Sequence, residues 1–534
     1  MKFDSLTYPF ASRRSVVYAE KGMVATAQPL AAQAGLRILM QGGNAVDAAI
    51  ATAACLTVVE PTANGIGGDA FAIISVNGKL HGLNASGYAP NGISREEVRA
   101  RGFEKMPHLG VLPITVPGAP AGWVEMSRRF GRLSLEEVLQ PAIDYAQNGY
   151  PLSPGVAHDW SRAAKSYGAS SDKAVASWGE TFARGGFQAK PGERAYLPDH
   201  AATLLSIAKT AGESFYRGEL AEKMAAFVQA HGGFLTRDDL ATYAPEWVDP
   251  IGATYRGHTV WEIPPNGQGI IAQMALRILD SFLFAEFGSA HTVHVQLEAM
   301  KMAFSEGLRE ISDPRAMRVS IESLLSDAFA QSRAARIREY AQDPDPVTPH
   351  PGGTVYLATA DGEGQMVSMI QSNYMGFGSG VVVPGTGISM QNRGHTFSLD
   401  ESHVNRLEPG KKTYHTIIPG FLTKGDTPIG PFGVMGGFMQ PQGHVQVIMN
   451  TLDFHMNPQA ALDAPRWQWT AGKSVDVEHT MPAHVIEDLL RRGHDVRVQL
   501  AGRNFGRGQI IWRDEHGVFC GGTEARADGQ IAAW

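Results

Sequence analysis

A mixed α/β fold is predicted from three observations on the 534-residue sequence. Apolar residues recur at helical spacing behind recognisable caps, and strand-like runs come in pairs across tight-turn sequences. With 43% hydrophobic against 19% charged residues, the chain can bury a large core. Sixty Gly and 31 Pro without a triplet period imply many tight turns rather than a collagen-like or disordered chain.

Ala31–Gln41 reads as a helix, with Leu36, Leu39 and Met40 at helical spacing and Gly42-Gly43 as its stop. Asn44 caps a second helix from Ala45 to about Val58, apolar nearly all round and therefore expected to be buried. The turn-rich run Pro61–Asp69 ends it. Ala70–Val76 and Lys79–Leu83 read as strands joined by Asn77-Gly78, a strong hairpin signal. Ser134 and Glu137 form a capping box that opens a helix toward Gln147, in which Pro141 is expected to force a kink or a restart. Further helices are expected over Ala201–Lys209, Leu220–His231 and Ala290–Ile311. No internal repeat or low-complexity tract is visible.

Forty-six Lys+Arg against 53 Asp+Glu give a net charge of −7, the opposite of the basic stripe that nucleic-acid binding requires. Cys55 and Cys520 are too few for a disulfide framework or a Cys-rich zinc site. The first residues lack the apolar stretch of a secretory signal, and Arg13-Arg14 is not followed by one. The longest apolar stretch, Ala45–Val59, is interrupted by Asp47 and falls short of the roughly 20 residues of a membrane span. A cytoplasmic protein with no nucleic-acid or membrane partner is expected, and Asn84-Ala-Ser86 reads as a chance sequon. Length alone suggests about three or four domains.

The clearest break is Gln342–Gly353, where Pro344, Pro346, Pro349 and Pro351 lack amide donors and push their predecessors away from helix. Composition alone reads it as an exposed linker between domains. Thr354–Ala360 then reads as a strand, Asp361–Gly364 as a turn and Gln365–Ser372 as the return strand, and the rest of the chain is strand-rich.

HExxH, GxxxxGK[ST] and paired CxxC motifs are absent, and no metal or cofactor is expected. Gly376–Gly380 does not fit GxSxG, because Ser379 is fourth in the pentad; it reads as a glycine-rich turn. Asn64–Asp69 lacks the flanking strand and helix of a dinucleotide site and also reads as a turn. The 18 His are scattered.

Taken together, Gly22–Ala31 (GMVATAQPLA), Gln41–Ala49 (QGGNAVDAA) and Asn64–Asp69 (NGIGGD) resemble the N-terminal signature of the γ-glutamyltransferase family. Thr115-Val-Pro-Gly118, Gly352-Gly-Thr354, Gly376–Gly380, Gly436-Gly437 and Gly522–Arg526 (GTEAR) follow in the family's order, so the resemblance spans nearly the whole chain. It implies an N-terminal-nucleophile hydrolase: a four-layer αββα sandwich made as an inactive precursor that cuts itself before a Thr. The matching bond is Gly353–Thr354, giving a large subunit 1–353 and a small subunit 354–534 that stay associated, with a higher oligomer possible.

On this resemblance Thr354 works twice. Its hydroxyl attacks the Gly353 carbonyl in the precursor, and its freed α-amine then serves as general base to the same hydroxyl against a substrate amide. From residue pattern alone Thr354 is equally a β-branched strand residue. Gly436 and Gly437 match the family's oxyanion-hole pair, and the same glycines would make a tight turn. Ser372 falls where the family carries a second hydroxyl near the nucleophile, although an ordinary strand serine fits the pattern as well.

The substrate wall departs from the family. Its Arg clamp for an α-carboxylate is replaced by Ser86, its amine-holding Asp by Thr396, and its paired serines by His415-Thr416. Losing a bidentate Arg removes both charge and fixed geometry. New polar residues arise at the same wall: Arg393, His395, His415, Thr416, Asn373 and Tyr374. One cation without an amine-binding acid suits a small carboxylate amide, a pattern similar to the branch containing oxamate amidohydrolase, with Arg393 on the carboxylate. A surface salt bridge is the plain alternative for Arg393.

The expected activity is therefore a self-processing threonine amidohydrolase converting oxamate to oxalate and ammonia. Three rivals stand beside it: a γ-glutamyl hydrolase or transferase acting on glutathione, an acylase for larger amides with a wide apolar pocket, and a non-processing binding relative.

Overall fold

The computed structural model describes residues 14–344, 352–500 and 502–534. Arg13 and the residues before it lie outside the described residues, as do Pro346, Pro349 and Pro351. Among the described residues no helix is long and apolar enough to cross a membrane.

Two seven-stranded sheets face one another and carry helices on their outer sides, the four-layer αββα arrangement expected above. The first sheet runs in the order Gln530–Ala533, Gly22–Thr26, Gly353–Asp361, Met366–Tyr374, Asp69–Val76, Lys79–Ala85, Glu246–Val248. The second runs Val17–Ala19, Phe519–Thr523, Arg507–Arg513, Thr427–Met435, Gly420–Lys424, His258–Glu262, Ile251–Tyr255. Both sheets mix strands from before and after the proline-rich run. That run therefore does not separate two independent domains, and the linker reading from composition is corrected: the strand behind it is central to a sheet whose edges come from elsewhere in the chain.

Helix Ala45–Val59 is buried on every side, lying between the first sheet and helices Pro29–Met40 and Leu135–Asn148. Its cap is reciprocal: Asn44 Oδ1 accepts from the amides of Val46 and Asp47, and Asp47 accepts from Asn44 N at 3.1 Å. The helix is bolted to the central strand by Thr359 Oγ1 donating to Ala45 O (2.7 Å) and Ala45 N donating to Asp361 Oδ2 (2.8 Å). The hairpin at Asn77-Gly78 forms with φ of 51° and 76°, the left-handed pair such a turn needs.

One helix is continuous where a restart was the alternative to a kink, and another has no counterpart in the sequence reading. Leu135–Asn148 runs through Pro141 without a restart. A proline there removes one amide bond, while Val138, Leu139, Ala142, Ile143 and Ala146 are all buried and hold the helix on the core. Helix Met439–Leu452 has no apolar period, because Gln440, Gln442, His444 and Gln446 are buried within it. Gln442 and Gln446 donate to the carbonyls of Trp469 and Trp467, so polar side chains replace the apolar face that would have announced the helix.

Candidate active site

Thr354 is the second residue of the central strand Gly353–Asp361 and is fully buried. A register shift lets Gly353 oppose Tyr374 while Val355 opposes Gln371, so the neighbouring strand Met366–Tyr374 carries one extra residue, Ser372-Asn373 facing Thr354. Thr354 Oγ1 lies 2.6 Å from the Gly353 carbonyl oxygen, and Ser372 Oγ donates to that same oxygen at 2.6 Å. The two hydroxyls are 3.2 Å apart, and the Tyr374 amide donates to Ser372 Oγ at 2.7 Å. Gln440 Nε2 lies 3.5 Å from Thr354 Oγ1. One carbonyl thus meets an alcohol that can attack it and a second that withdraws charge from its oxygen.

The glycines before Thr354 make that approach possible. A methyl on Gly352 would stand 3.0 Å from Tyr374 O and 3.3 Å from Gly437 Cα. Gly436 and Gly437 have φ of 136° and 60°, conformations that favour glycine, and their carbonyls accept the amides of Met439 and Gln440 as helix Met439–Leu452 begins. Their own amides donate to no backbone carbonyl among the described residues. Free amides at a helix N-terminus suit a developing oxyanion.

Arg393 opens the short helix Arg393–Thr396 and is completely buried. Nη1 donates to Thr416 Oγ1 at 2.8 Å, and the guanidinium carbon stands 4.4 Å from the Tyr374 ring centroid. Nε and Nη2 have no hydrogen-bond partner among the described residues. Burial pushes the group down to about 10, with Asp69 opposing the shift, so it stays cationic at neutral pH. Tyr374, itself at φ 77°, therefore joins the two halves of the site: its ring covers Arg393 and its amide holds Ser372.

Other sequence-predicted wall residues sit differently. Asn373 presses its amide against the Asn64–Asp69 turn, where methyls on Gly65 and Gly68 would come within 2.7 and 2.6 Å of it. His415 turns away from the open donors: Nε2 lies 3.0 Å from Asp69 Oδ2 and Nδ1 accepts from Ile417 N at 3.4 Å. His395 contacts Met106 O through Nδ1 at 2.6 Å. Ser86 and Thr396 are closed into local networks, with Asn84 and with Arg393 O, Thr413 and Tyr414 O.

Sequence reasoning missed Asp69, Gln391 and Gln268. Gln268 Nε2 donates to Thr416 O (2.6 Å) and Gly437 O (2.9 Å), while Oε1 accepts from Tyr414 OH (2.7 Å). It ties the cation pocket to the glycine pair, and no local pattern marks it. Asp69 closes the NGIGGD run and could have been noticed as an acid in a glycine turn. A cleft of about 490 Å³ opens beside Tyr374 and His395, walled by Met106, Leu308, Phe397 and Phe438.

The sequence model of the gamma-glutamyltranspeptidase family matches residues 31–534. The chain is 38% identical over 526 residues to a glutathione hydrolase-like YwrD proenzyme of Bacillus subtilis, covering 96% of this chain and 98% of that one. It is 35% identical to an oxamate amidohydrolase proenzyme of Klebsiella pneumoniae, again over 526 residues, with 96% and 98% covered. Among solved structures, a cephalosporin acylase from Bacillus halodurans superposes with a TM-score of 0.97 at 60% identity, covering 100% of this chain and 99% of that one.

Proposed function

The chain belongs to the gamma-glutamyltranspeptidase family and is an amidohydrolase of linear amides, and from that premise we propose that it hydrolyses small amides bearing a carboxylate, oxamate first among them. Self-cleavage comes first. Thr354 Oγ attacks the Gly353 carbonyl carbon, the Gly353–Thr354 C–N bond breaks, and the hydroxyl proton passes to the departing nitrogen. Water then hydrolyses the Gly353 ester, leaving chains 1–353 and 354–534.

In the mature enzyme the Thr354 α-amine accepts the hydroxyl proton as Oγ attacks the substrate amide. The oxyanion faces the Gly436 and Gly437 amides, ammonia leaves with the returned proton, and water releases oxalate from the Thr354 ester. No metal or cofactor enters these steps.

The observation that carries the reading is Arg393: a fully buried guanidinium whose Nε and Nη2 have no partner among the described residues, stacked on the residue that holds Ser372. A carboxylate is the planar acceptor that fits such a fork. A γ-glutamyl head group would also need an anion for its ammonium, and Asp69, the acid of this wall, already accepts from Gln391, Gly87 and His415. The wide apolar-walled cleft favours a second reading, an acylase whose leaving amine is larger than ammonia.

Purified protein incubated with oxamate, glutathione and glutaryl-p-nitroanilide separates these readings. Ammonia from oxamate supports the first, nitroaniline alone the acylase, and cysteinylglycine alone the glutathione hydrolase. A single uncut chain with no turnover would favour a binding relative.

A further inference from the structure

Asp69 touches both segments forming the cation pocket. Oδ1 accepts from Gln391 Nε2 at 2.9 Å, two residues before Arg393, and from the Gly87 amide at 3.2 Å. Oδ2 faces His415 Nε2 at 3.0 Å, one residue before the Thr416 hydroxyl that carries Arg393. Asp69 also pairs with Ser372 across the first sheet, so the same residue is in register with the second hydroxyl at the scissile bond.

The hydrogen bonds fix the state of His415. A neutral imidazole has one donor and one acceptor. The Ile417 amide requires an acceptor at Nδ1, so the proton sits on Nε2 and points to Asp69. Burial, with Arg393 and Lys412 nearby, holds the imidazole well below its ordinary value and hence neutral. His415 is further clamped by its backbone, whose N donates to Asn266 O and whose O accepts from Gln268 N, both at 2.9 Å. Its ring lies 4.8 Å from Phe71. This dyad has no open valence for substrate. Its geometry is that of a brace.

We propose that Asp69 is a positioning residue: bonded to Gln391 and, through His415, to the Thr416 segment, it sets the orientation in which Arg393 presents Nε and Nη2 to the substrate carboxylate. The inference rests on the carboxylate reading of Arg393 and adds to it the residue that makes the pocket specific. Asp69 and Arg393 attract one another without forming a contact ion pair. Arg393 thus keeps its charge in a buried site while Nε and Nη2 stay without a partner among the described residues, which a direct Asp–Arg fork would prevent.

The brace depends on an ionised Asp69. Burial pushes the carboxyl up to about 7, against the opposing pull of Arg393, Gln391, the Gly87 amide and Lys412. The titratable groups around it are Arg393, Lys412, His415, Tyr216 and Tyr243. Of these, the imidazole stays neutral and the phenols are raised, so the acid limb belongs to Asp69. As pH falls through about 7 the protonated carboxyl loses its hold on His415, and KM for a carboxylate amide rises.

The test is steady-state kinetics of the processed enzyme on two matched pairs, oxamate with oxamide and glutaryl- with butyryl-p-nitroanilide. Asp69→Asn is expected to raise KM for the carboxylate member at least tenfold, to change kcat less than threefold, and to flatten the KM–pH profile between pH 5.5 and 8. His415→Gln, whose amide can still donate to Asp69, should recover most of the affinity that His415→Ala loses. If Asp69→Asn fails to fold, Gln391→Leu removes one arm of the brace and should give a smaller KM rise of the same kind. Unchanged KM and pH profile in these variants, with only a lower Tm, would show that Asp69 merely supports the fold and would overturn the proposal. A wild-type enzyme that does not prefer the carboxylate member of either pair would instead overturn the reading of Arg393 beneath it.

Discussion

Ser372 Oγ lies 2.6 Å from the carbonyl oxygen of Gly353, as close to it as the hydroxyl of Thr354. The bond proposed for self-cleavage is therefore polarised by a residue of the neighbouring strand, and the Tyr374 amide fixes that residue from behind. Sequence pattern gave Ser372 no advantage over an ordinary strand serine; the strand pairing put it there.

Ser372→Ala should slow self-cleavage by about 10²–10³-fold, the usual effect of losing one donor to a developing oxyanion. Time-resolved denaturing gels of freshly refolded precursor measure it. Cleavage at the wild-type rate would remove Ser372 from the mechanism. Thr354→Ala should remain a single chain indefinitely.

Gly437→Ala places a Cβ on a residue with φ of 60°, in the backbone turn that presents both amides. The strain is about 1–2 kcal/mol, small beside the catalytic loss expected from a tilted oxyanion donor, about 10²-fold in kcat. Normal kcat in a folded variant would refute the oxyanion assignment.

Arg393→Met should reduce kcat/KM for oxamate by at least about 100-fold, since charged hydrogen bonds are worth roughly 1.5–3 kcal/mol each and two are lost. Neutral amides such as oxamide should be turned over no worse than by wild type. Equal losses on both would mean that Arg393 serves packing rather than recognition.

His200 is buried, and desolvation pushes it down to about 4. An unfolded histidine titrates near 6.5, so between these values the unfolded state binds more protons and stability falls as pH drops from about 6.5 to about 4. The integrated contribution is on the order of 3 kcal/mol. His200→Gln should lose less Tm between pH 7 and pH 4.5 than wild type does; parallel losses would contradict a neutral buried imidazole.

His294, Glu298 and His494 bring potential metal-ligand atoms within 4.8 Å of one another, but Lys301 occupies the cluster, donating to Glu298 at 2.8 Å and to Gln342 O at 3.0 Å. His494 Nε2 and His294 Nδ1 are 2.8 Å apart, and His294 Nε2 reaches Arg338 O at 2.7 Å. The network ties Arg338 and Gln342 to His494 in the C-terminal part of the chain. Lys301→Met strands a buried carboxylate and should cost about 3–5 kcal/mol, and pairing it with Glu298→Gln should recover much of the loss. Thermal denaturation of the single and double variants checks both statements.

Local chemistry was enough for much of the fold. Asn44, Ser134 with Glu137, and Asn77-Gly78 announce caps and a hairpin because each satisfies backbone groups within four residues of itself. The order of glycine motifs carried the family resemblance, from which alone the roles proposed for Thr354 and Gly436-Gly437 come. Helix Met439–Leu452 escaped because its buried face is polar, and that face is satisfied largely by remote partners such as the backbone of Trp467 and Trp469 and the Glu262 carboxylate.

The site's electrostatics belonged to the tertiary structure alone. Arg393 in the sequence is as compatible with a surface ion pair as with a binding group; its burial excludes the surface pair, and the Tyr374 ring and two nitrogens without a partner among the described residues support the proposed binding role. Asp69 and His415 are 346 positions apart, and neither has a neighbour in sequence that foretells the other. The chain by itself determined where helices are capped and where the backbone could turn. Which charges face one another depends on distances between remote segments, and those exist only once the sheets have formed.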